Sequence, residues 1–157
     1  MAARIKDVLS FKGNVVHSVS RDAPVSEVVR CMRINRIGSV VVLDGDELCG
    51  IVSEGDILRR VLGERRDPES TGVEDIMTNT LRTIDPETSV HEAMALVTDA
   101  RCRHLPVVEG GRVVGMVSGG DLTAWMVREL RLEIVDLIGY IHGPASEPPP
   151  PYRSTDS

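Results

Sequence analysis

Two serine–aspartate pairs at the same spacing are the residues of this chain best suited to chemistry. Ser53-x-x-Asp56 and Ser118-x-x-Asp121 each close a Gly-apolar-apolar-Ser run, Gly50-Ile51-Val52-Ser53 and Gly115-Met116-Val117-Ser118. An ionised carboxylate accepts two hydrogen bonds, and the vicinal hydroxyls of a ribose donate two. Each serine stands where an extended run ends and a helical spacing starts, a place whose unpaired N–H groups and positive dipole end favour an anion. The same residues also suit a plain helix cap, with serine accepting from the first-turn N–H groups and aspartate facing the dipole. Recurrence of the pair in a diverged second copy favours a ligand role.

The elements that must position these pairs are duplicated with them. The copies lie 65 residues apart: Val25-x-Glu27 falls on Val90-x-Glu92, Val42 on Val107 and Gly45 on Gly110. Upstream, Ile5-Lys6-Asp7-Val8-Leu9 resembles Val73-Glu74-Asp75-Ile76-Met77, so each copy has a short leader helix. Val25, Val28, Val29 and Met32, and Val90, Ala93, Met94 and Val97, keep helical spacing, and Ser89-x-x-Glu92 is a capping box. The β-branched runs 39–43 and 48–53 flank Asp44-Gly45, and 104–108 and 113–118 flank Gly110-Gly111, which predicts two hairpins. With extended pieces at 15–19 and 81–84 and helices after each hairpin, the order is strand, helix, strand, strand, helix, twice.

A copy of about 60 residues buries too little surface to be stable alone, so the two are expected to share a core about a pseudo-twofold axis. The expected divisions are residues 1–63 for the first repeat with its leader, 64–72 for a polar linker and 73–128 for the second repeat. Residues 129–142 form a helical extension and 143–157 a disordered, proline-rich tail. Leu130, Ile134, Leu137, Ile138 and Ile141 form one apolar stripe on the extension, which must be covered. Either the molecule's own leader helices or a second copy of the chain can do so.

Composition excludes several function classes. Lysine and arginine total 18 against 24 acids, a net charge of −6, and the aromatic set is Phe11, Trp125, Tyr140 and Tyr152. Nucleic-acid binding needs concentrated positive charge or a stacking platform, and neither is present. No run reaches the roughly 20 apolar residues of a membrane span, and the first residues turn charged at Arg4, so a cytoplasmic location is expected. The three cysteines, Cys31, Cys49 and Cys102, have no CxxC spacing, and Cys31 and Cys49 read as buried, inert thiols. His17, His91, His104 and His142 are isolated in sequence, there is no G-x-S-x-G, Walker A or G-x-G-x-x-G, and neither catalytic nor metal-binding residues are expected. Pro148-Pro149-Pro150-Pro151-Tyr152 suits either a plain linker or a polyproline II ligand.

The repeated motif, its surroundings at Arg36-Ile37-Gly38 and Arg101-Cys102-Arg103-His104-Leu105-Pro106-Val107, and the long final helix resemble the cystathionine-β-synthase (CBS) domain in tandem, the Bateman module, as found in small stand-alone bacterial proteins. The resemblance covers roughly residues 5–130. It implies an α+β fold of two β-α-β-β-α repeats, and regulatory binding of an adenosine-containing ligand such as AMP, ADP, ATP, NAD(H) or S-adenosylmethionine. A homodimer and an unidentified effector protein are the implied partners; a ligand-free dimeric adaptor is the alternative. Carried over by position, one site combines Ser53 and Asp56 with Thr83, Asp85, Arg103 and His104, and the other combines Ser118 and Asp121 with Ser18, Ser20, Gly38 and Ser39. Arg103 and His104 favour the more phosphorylated ligand beside Asp56, although His104 can instead serve through its main chain alone. Relatives often carry a basic residue just before the motif aspartate; here Gly55 and Gly120 remove that contact.

Overall fold

The computed structural model describes residues 2–99 and 102–142, so the expected tail, 143–157, lies outside the described residues. The chain forms two compact units, Met1–Leu122, which holds the sheets, and Thr123–Ser157, which begins inside the last helix. The fold is α+β.

In the first unit, α1 (Ile5–Lys12) is followed by β1 (Ser18–Ser20), α2 (Val25–Asn35), β2 (Ser39–Asp44) and β3 (Glu47–Ser53). A short α3 (Glu54–Asp56) widens into a π-helix, Ile57–Leu62. Then come α4 (Val73–Ile76), α5 (Val90–Asp99), β4 (His104–Glu109), β5 (Arg112–Ser118) and α6 (Gly119–His142), which runs on into the second unit. Both hairpins turn on glycines with left-handed φ, Gly45 at 63° and Gly110 at 58°, a region open to glycine at no steric cost.

The repeats differ in their first strand. β1 pairs parallel with β2, whereas the expected strand at 81–84 is reduced to one parallel bridge, Ile84 to Val107. The reason is chemical. In the first repeat the Val41 N–H donates to the His17 carbonyl at 3.1 Å. The residue 65 positions on is Pro106, which has no N–H, so the ladder cannot extend.

The leaders are exchanged between repeats. Ile5 and Lys6 of α1 donate to the carbonyls of Thr88 and Pro86 in the second repeat, and the Val90 N–H returns to Ala3. At the other end the Val73 N–H of α4 donates to Ala23, and the Val25 N–H to Thr71. Ile5, Val8, Val73 and Ile76 are thereby fully buried, each worth about 1.5–3 kcal/mol. The motif glycines make room for this exchange. A Cβ on Gly115 would lie 2.7 and 2.8 Å from the Leu9 methyls, and one on Gly50 would lie 2.9 Å from Met77 Cγ. Their place in the motif is thus set by packing against the opposite leader.

The core of the first repeat is built mainly of valines, Val19, Val25, Val28, Val40, Val42 and Val52, closed by Val73 and Ile76 from α4. Val29, expected on the same helical face, is 38% exposed. Cys31 and Cys49 are half-buried rather than fully enclosed, because α2 and β3 each present them at the margin of this core. Burial still pushes the Cys49 thiol up, and it donates to the Val42 carbonyl at 3.3 Å.

The described part of the second unit is the remainder of α6. The stripe residues Leu130, Ile134, Leu137, Ile138 and Ile141 are between 37% and 70% exposed.

Candidate ligand site

Both serine–aspartate pairs are reciprocal helix caps. Ser53 Oγ accepts from the Asp56 N–H at 3.3 Å while Asp56 Oδ2 accepts from the Ser53 N–H at 2.9 Å. Ser118 Oγ accepts from the Asp121 N–H at 3.1 Å, and Asp121 Oδ2 from the Ser118 N–H at 2.8 Å. Capping and ligand reading therefore compete for the same atoms, and the outcome depends on what each carboxylate has left to offer.

Asp56 is sealed. It is 3% exposed, takes a further bond from Ser53 Oγ at 3.1 Å on Oδ2, and receives the Thr78 hydroxyl on Oδ1 at 3.3 Å. Arg60, in the turn beyond, spends its guanidinium on the carbonyls of Ile76 and Met77 at 3.0 and 3.1 Å, with Nε 4.0 Å from Asp56. Thr78 and Arg60 both tie Asp56 to the end of α4 and the residues just after it.

Asp121 is open. Its side chain is 27% exposed and lines a cavity of about 280 Å³ walled by both repeats. Lys12 at the end of α1 reaches it, with Nζ 2.6 Å from Oδ2 and 2.6 Å from the Met116 carbonyl. Val15, Val16, Ile37 and Met116 give the cavity an apolar wall, while Lys12, Arg36, His17 and His104 bring basic groups. Burial pushes the Asp121 carboxyl up, but the Lys12 ammonium and the Ser118 N–H outweigh it, and the group lies below the ordinary carboxylate range. Burial pushes the His104 imidazole down against the opposing pull of Asp121 and Glu54, which leaves it neutral near pH 7.

The residues expected around Asp121 divide. Gly38 and Ser39 line the cavity with Ser118 and Asp121, whereas Ser18 and Ser20 are exposed on β1 and do not. The set expected around Asp56 is dispersed. His104 faces the Asp121 cavity because it is the cross-strand partner of Ser118 in the β4–β5 hairpin. Arg103 is exposed, and its carbonyl accepts from the Gly119 N–H at 3.0 Å. Thr83 and Asp85 line a separate, open cavity of about 770 Å³ with Glu87 and Glu92. There Asp85 is a turn residue whose Oδ1 accepts from the Glu87 N–H at 2.8 Å.

Lys12, Val15, Val16, His17, Arg36, Ile37 and Met116 join the cavity without having been expected there. Arg36 and Ile37 adjoin Gly38 in sequence, and that adjacency was their signal. Nothing in the sequence marks Lys12, because its contact crosses 109 positions. Among the described residues no group of three or more His, Cys, Asp or Glu is arranged to hold a metal ion. No described helix is long and apolar enough to cross a membrane.

The exchanged leaders, paired hairpins and repeated caps define a tandem module, and comparison with known proteins gives its class. The CBS domain model matches residues 5–63 and again 73–128, and the chain belongs to the CBS-domain family. It is 40% identical over 148 residues to the mitochondrial CBS domain-containing protein CBSX3 of Arabidopsis thaliana, covering 88% of this chain and 72% of that protein. A candidate signal-transduction protein with CBS domains from Burkholderia ambifaria MC40-6 is similar in structure, with a TM-score of 0.78 and 36% identity over 81% of this chain and 96% of that one. The CBS-domain pair of protein MJ0100, solved with 5′-methylthioadenosine and S-adenosyl-L-methionine, shares the fold at a TM-score of 0.72 and 20% identity, over 82% of this chain and 99% of that one.

Proposed function

We propose that this chain is a non-catalytic regulatory module that binds an adenosine-containing ligand in the Asp121 cavity and passes the change to an effector protein. The observation that carries the reading is the Asp121 carboxylate, aimed by Ser118 and only partly enclosed, on a cavity walled by both repeats. The carboxylate suits ribose hydroxyls, and the apolar wall of Val15, Val16, Ile37 and Met116 suits a purine. Its volume of about 280 Å³ is near the roughly 300 Å³ lower end of ligand pockets, which fits a mononucleoside. The methylthioadenosine and S-adenosylmethionine bound by the MJ0100 pair support the adenosyl class. Because the wall comes from both repeats, a ligand that binds one arrangement of them more tightly shifts their equilibrium.

Asp121, rather than Asp56, is the site proposed for the more anionic ligand, since Lys12 and Arg36 line its cavity. A thermal-shift series with AMP, ADP, ATP, NAD(H) and S-adenosylmethionine tests the reading. A ligand at a hundred times its dissociation constant adds about 2.7 kcal/mol. Absence of any shift across the series would refute it.

The output surface proposed is α6. Val127, Ile134 and Ile141 occupy a positions and Leu130 and Leu137 d positions of a heptad, the β-branched-a, leucine-d pattern that favours a parallel two-stranded pair. The occupant is a second copy of the chain. Light scattering should give a dimer for the native chain and a monomer for Leu137→Asp; a monomeric native chain removes the dimer.

A further inference from the structure

The Asp121 carboxylate already has an internal cation. Lys12 Nζ bridges Asp121 Oδ2 and the Met116 carbonyl, both at 2.6 Å. The other repeat differs: there the leader end gives Asp56 a neutral hydroxyl, from Thr78 at 3.3 Å, while Arg60 stands 4.0 Å away with its guanidinium held by the Ile76 and Met77 carbonyls. The two aspartates of one motif therefore face different displacement problems. At Asp121 a ribose must remove an ammonium before it can use Oδ2.

Lys12 is placed to move. It is the last residue of α1, its side chain is 29% exposed, and Gly13 follows with a left-handed φ of 97° and no atom within 4 Å of where a Cβ would stand. Val15, a little further on, is 75% exposed. An ammonium on a four-carbon stem at such a site can change partner by side-chain rotation alone. Arg36 lies on the same cavity, its backbone held in the left-handed region at φ 52° and ψ 49° at the end of α2. Once Lys12 leaves Asp121, its ammonium joins the Arg36 guanidinium as a second cation on the cavity that is not paired to that carboxylate.

We infer that Lys12 is the specificity-determining residue of the Asp121 cavity, an internal counter-ion that ribose displaces and that a phosphate on the same ligand re-engages. The inference rests on the adenosine reading of that cavity and narrows it to anionic adenosine ligands. Neutral adenosine leaves Lys12 on a cavity that also holds Arg36, with no new anion, and the cationic sulfonium of S-adenosylmethionine adds like charge. A phosphorylated adenosine restores the ion pair in a new place, so selectivity comes from the cost imposed on the wrong ligands.

Calorimetric titration of the full chain with AMP and with adenosine, for the native protein, Lys12→Met and Lys12→Arg, tests this. The native protein should prefer AMP. K12M should bind adenosine about two- to tenfold more tightly, because the competitor is gone, and its AMP-over-adenosine ratio should fall about tenfold. K12R should keep the native preference. Lys12→Gln, which retains a donor for the Met116 carbonyl, repeats the test with less change at the end of α1. Unaltered adenosine affinity or an unaltered ratio in both K12M and K12Q would overturn the role of Lys12 while leaving adenosine binding intact. Failure of both AMP and adenosine to bind the native chain would instead sink the adenosine reading itself.

Discussion

Replacing each motif aspartate by alanine should separate two jobs that the sequence writes identically. Asp56 is 3% exposed and accepts from the Ser53 N–H, the Ser53 hydroxyl and the Thr78 hydroxyl. A hydrogen bond to a charged group is worth about 1.5–3 kcal/mol, and the donors of one carboxylate are not additive, so Asp56→Ala should cost the fold about 2–4 kcal/mol. At about 2–4 °C per kcal/mol for a chain of this size, the melting temperature should fall by about 4–16 °C. Asp121 loses the Ser118 N–H and a Lys12 pair that is 27–29% exposed, and solvent screening reduces the worth of that pair. Asp121→Ala should therefore cost the fold only about 1–2 kcal/mol. Its larger effect should be on binding, a loss of about tenfold to a hundredfold for an AMP-type ligand. Urea unfolding followed by circular dichroism and calorimetric titration with AMP measure the two quantities. Equal stability losses, or native AMP affinity in D121A, would refute the division.

Gly115→Ala forces a Cβ to within 2.7 Å of Leu9 and should destabilise the fold by about 1–3 kcal/mol, read by urea unfolding. Combining it with Leu9→Ala should recover part of that loss. Arg36→Gly relieves a left-handed φ of 52° and should stabilise by about 0.5–1 kcal/mol in thermal melts, while weakening binding of the anionic ligand at the cavity. Acidification should lower stability in two windows. His104 has a folded pKa below its ordinary 6.5, so the folded state resists its protonation and stability falls as pH drops below 6.5. Asp121 has a folded pKa below 3.8, so its contribution is present above 3.8 and is lost as pH falls through the folded value. His104→Gln should remove the His104 contribution to the first window in pH-dependent urea unfolding.

The repeat, the hairpins, the leader helices and the α+β fold were legible because each is a local pattern: β-branched runs around glycine turns, helical spacing and a motif recurring 65 residues on. Even the lost strand at 81–84 has a sequence cause, since Pro106 cannot donate where Val41 does. The cap function of Ser53-x-x-Asp56 and Ser118-x-x-Asp121 is local too, and it was one of the two readings that the spacing allowed.

What tertiary structure decided is which carboxylate remains available. Asp56 and Asp121 share a motif, a cap and a place in the repeat, and the local difference four residues on, Arg60 after Asp56 and Trp125 after Asp121, does not say which carboxylate stays open. The exchange of leaders does. It sets Thr78 beside Asp56, holds the neighbouring Arg60 on the Ile76 and Met77 carbonyls, and carries Lys12 across 109 positions to Asp121. It also shapes the cavity that His104 shares with Gly38 and Ser39. A carboxylate's chemistry depends on the charges and solvent within a few ångströms, and those neighbours arrive from distant parts of the chain only when the leaders dock.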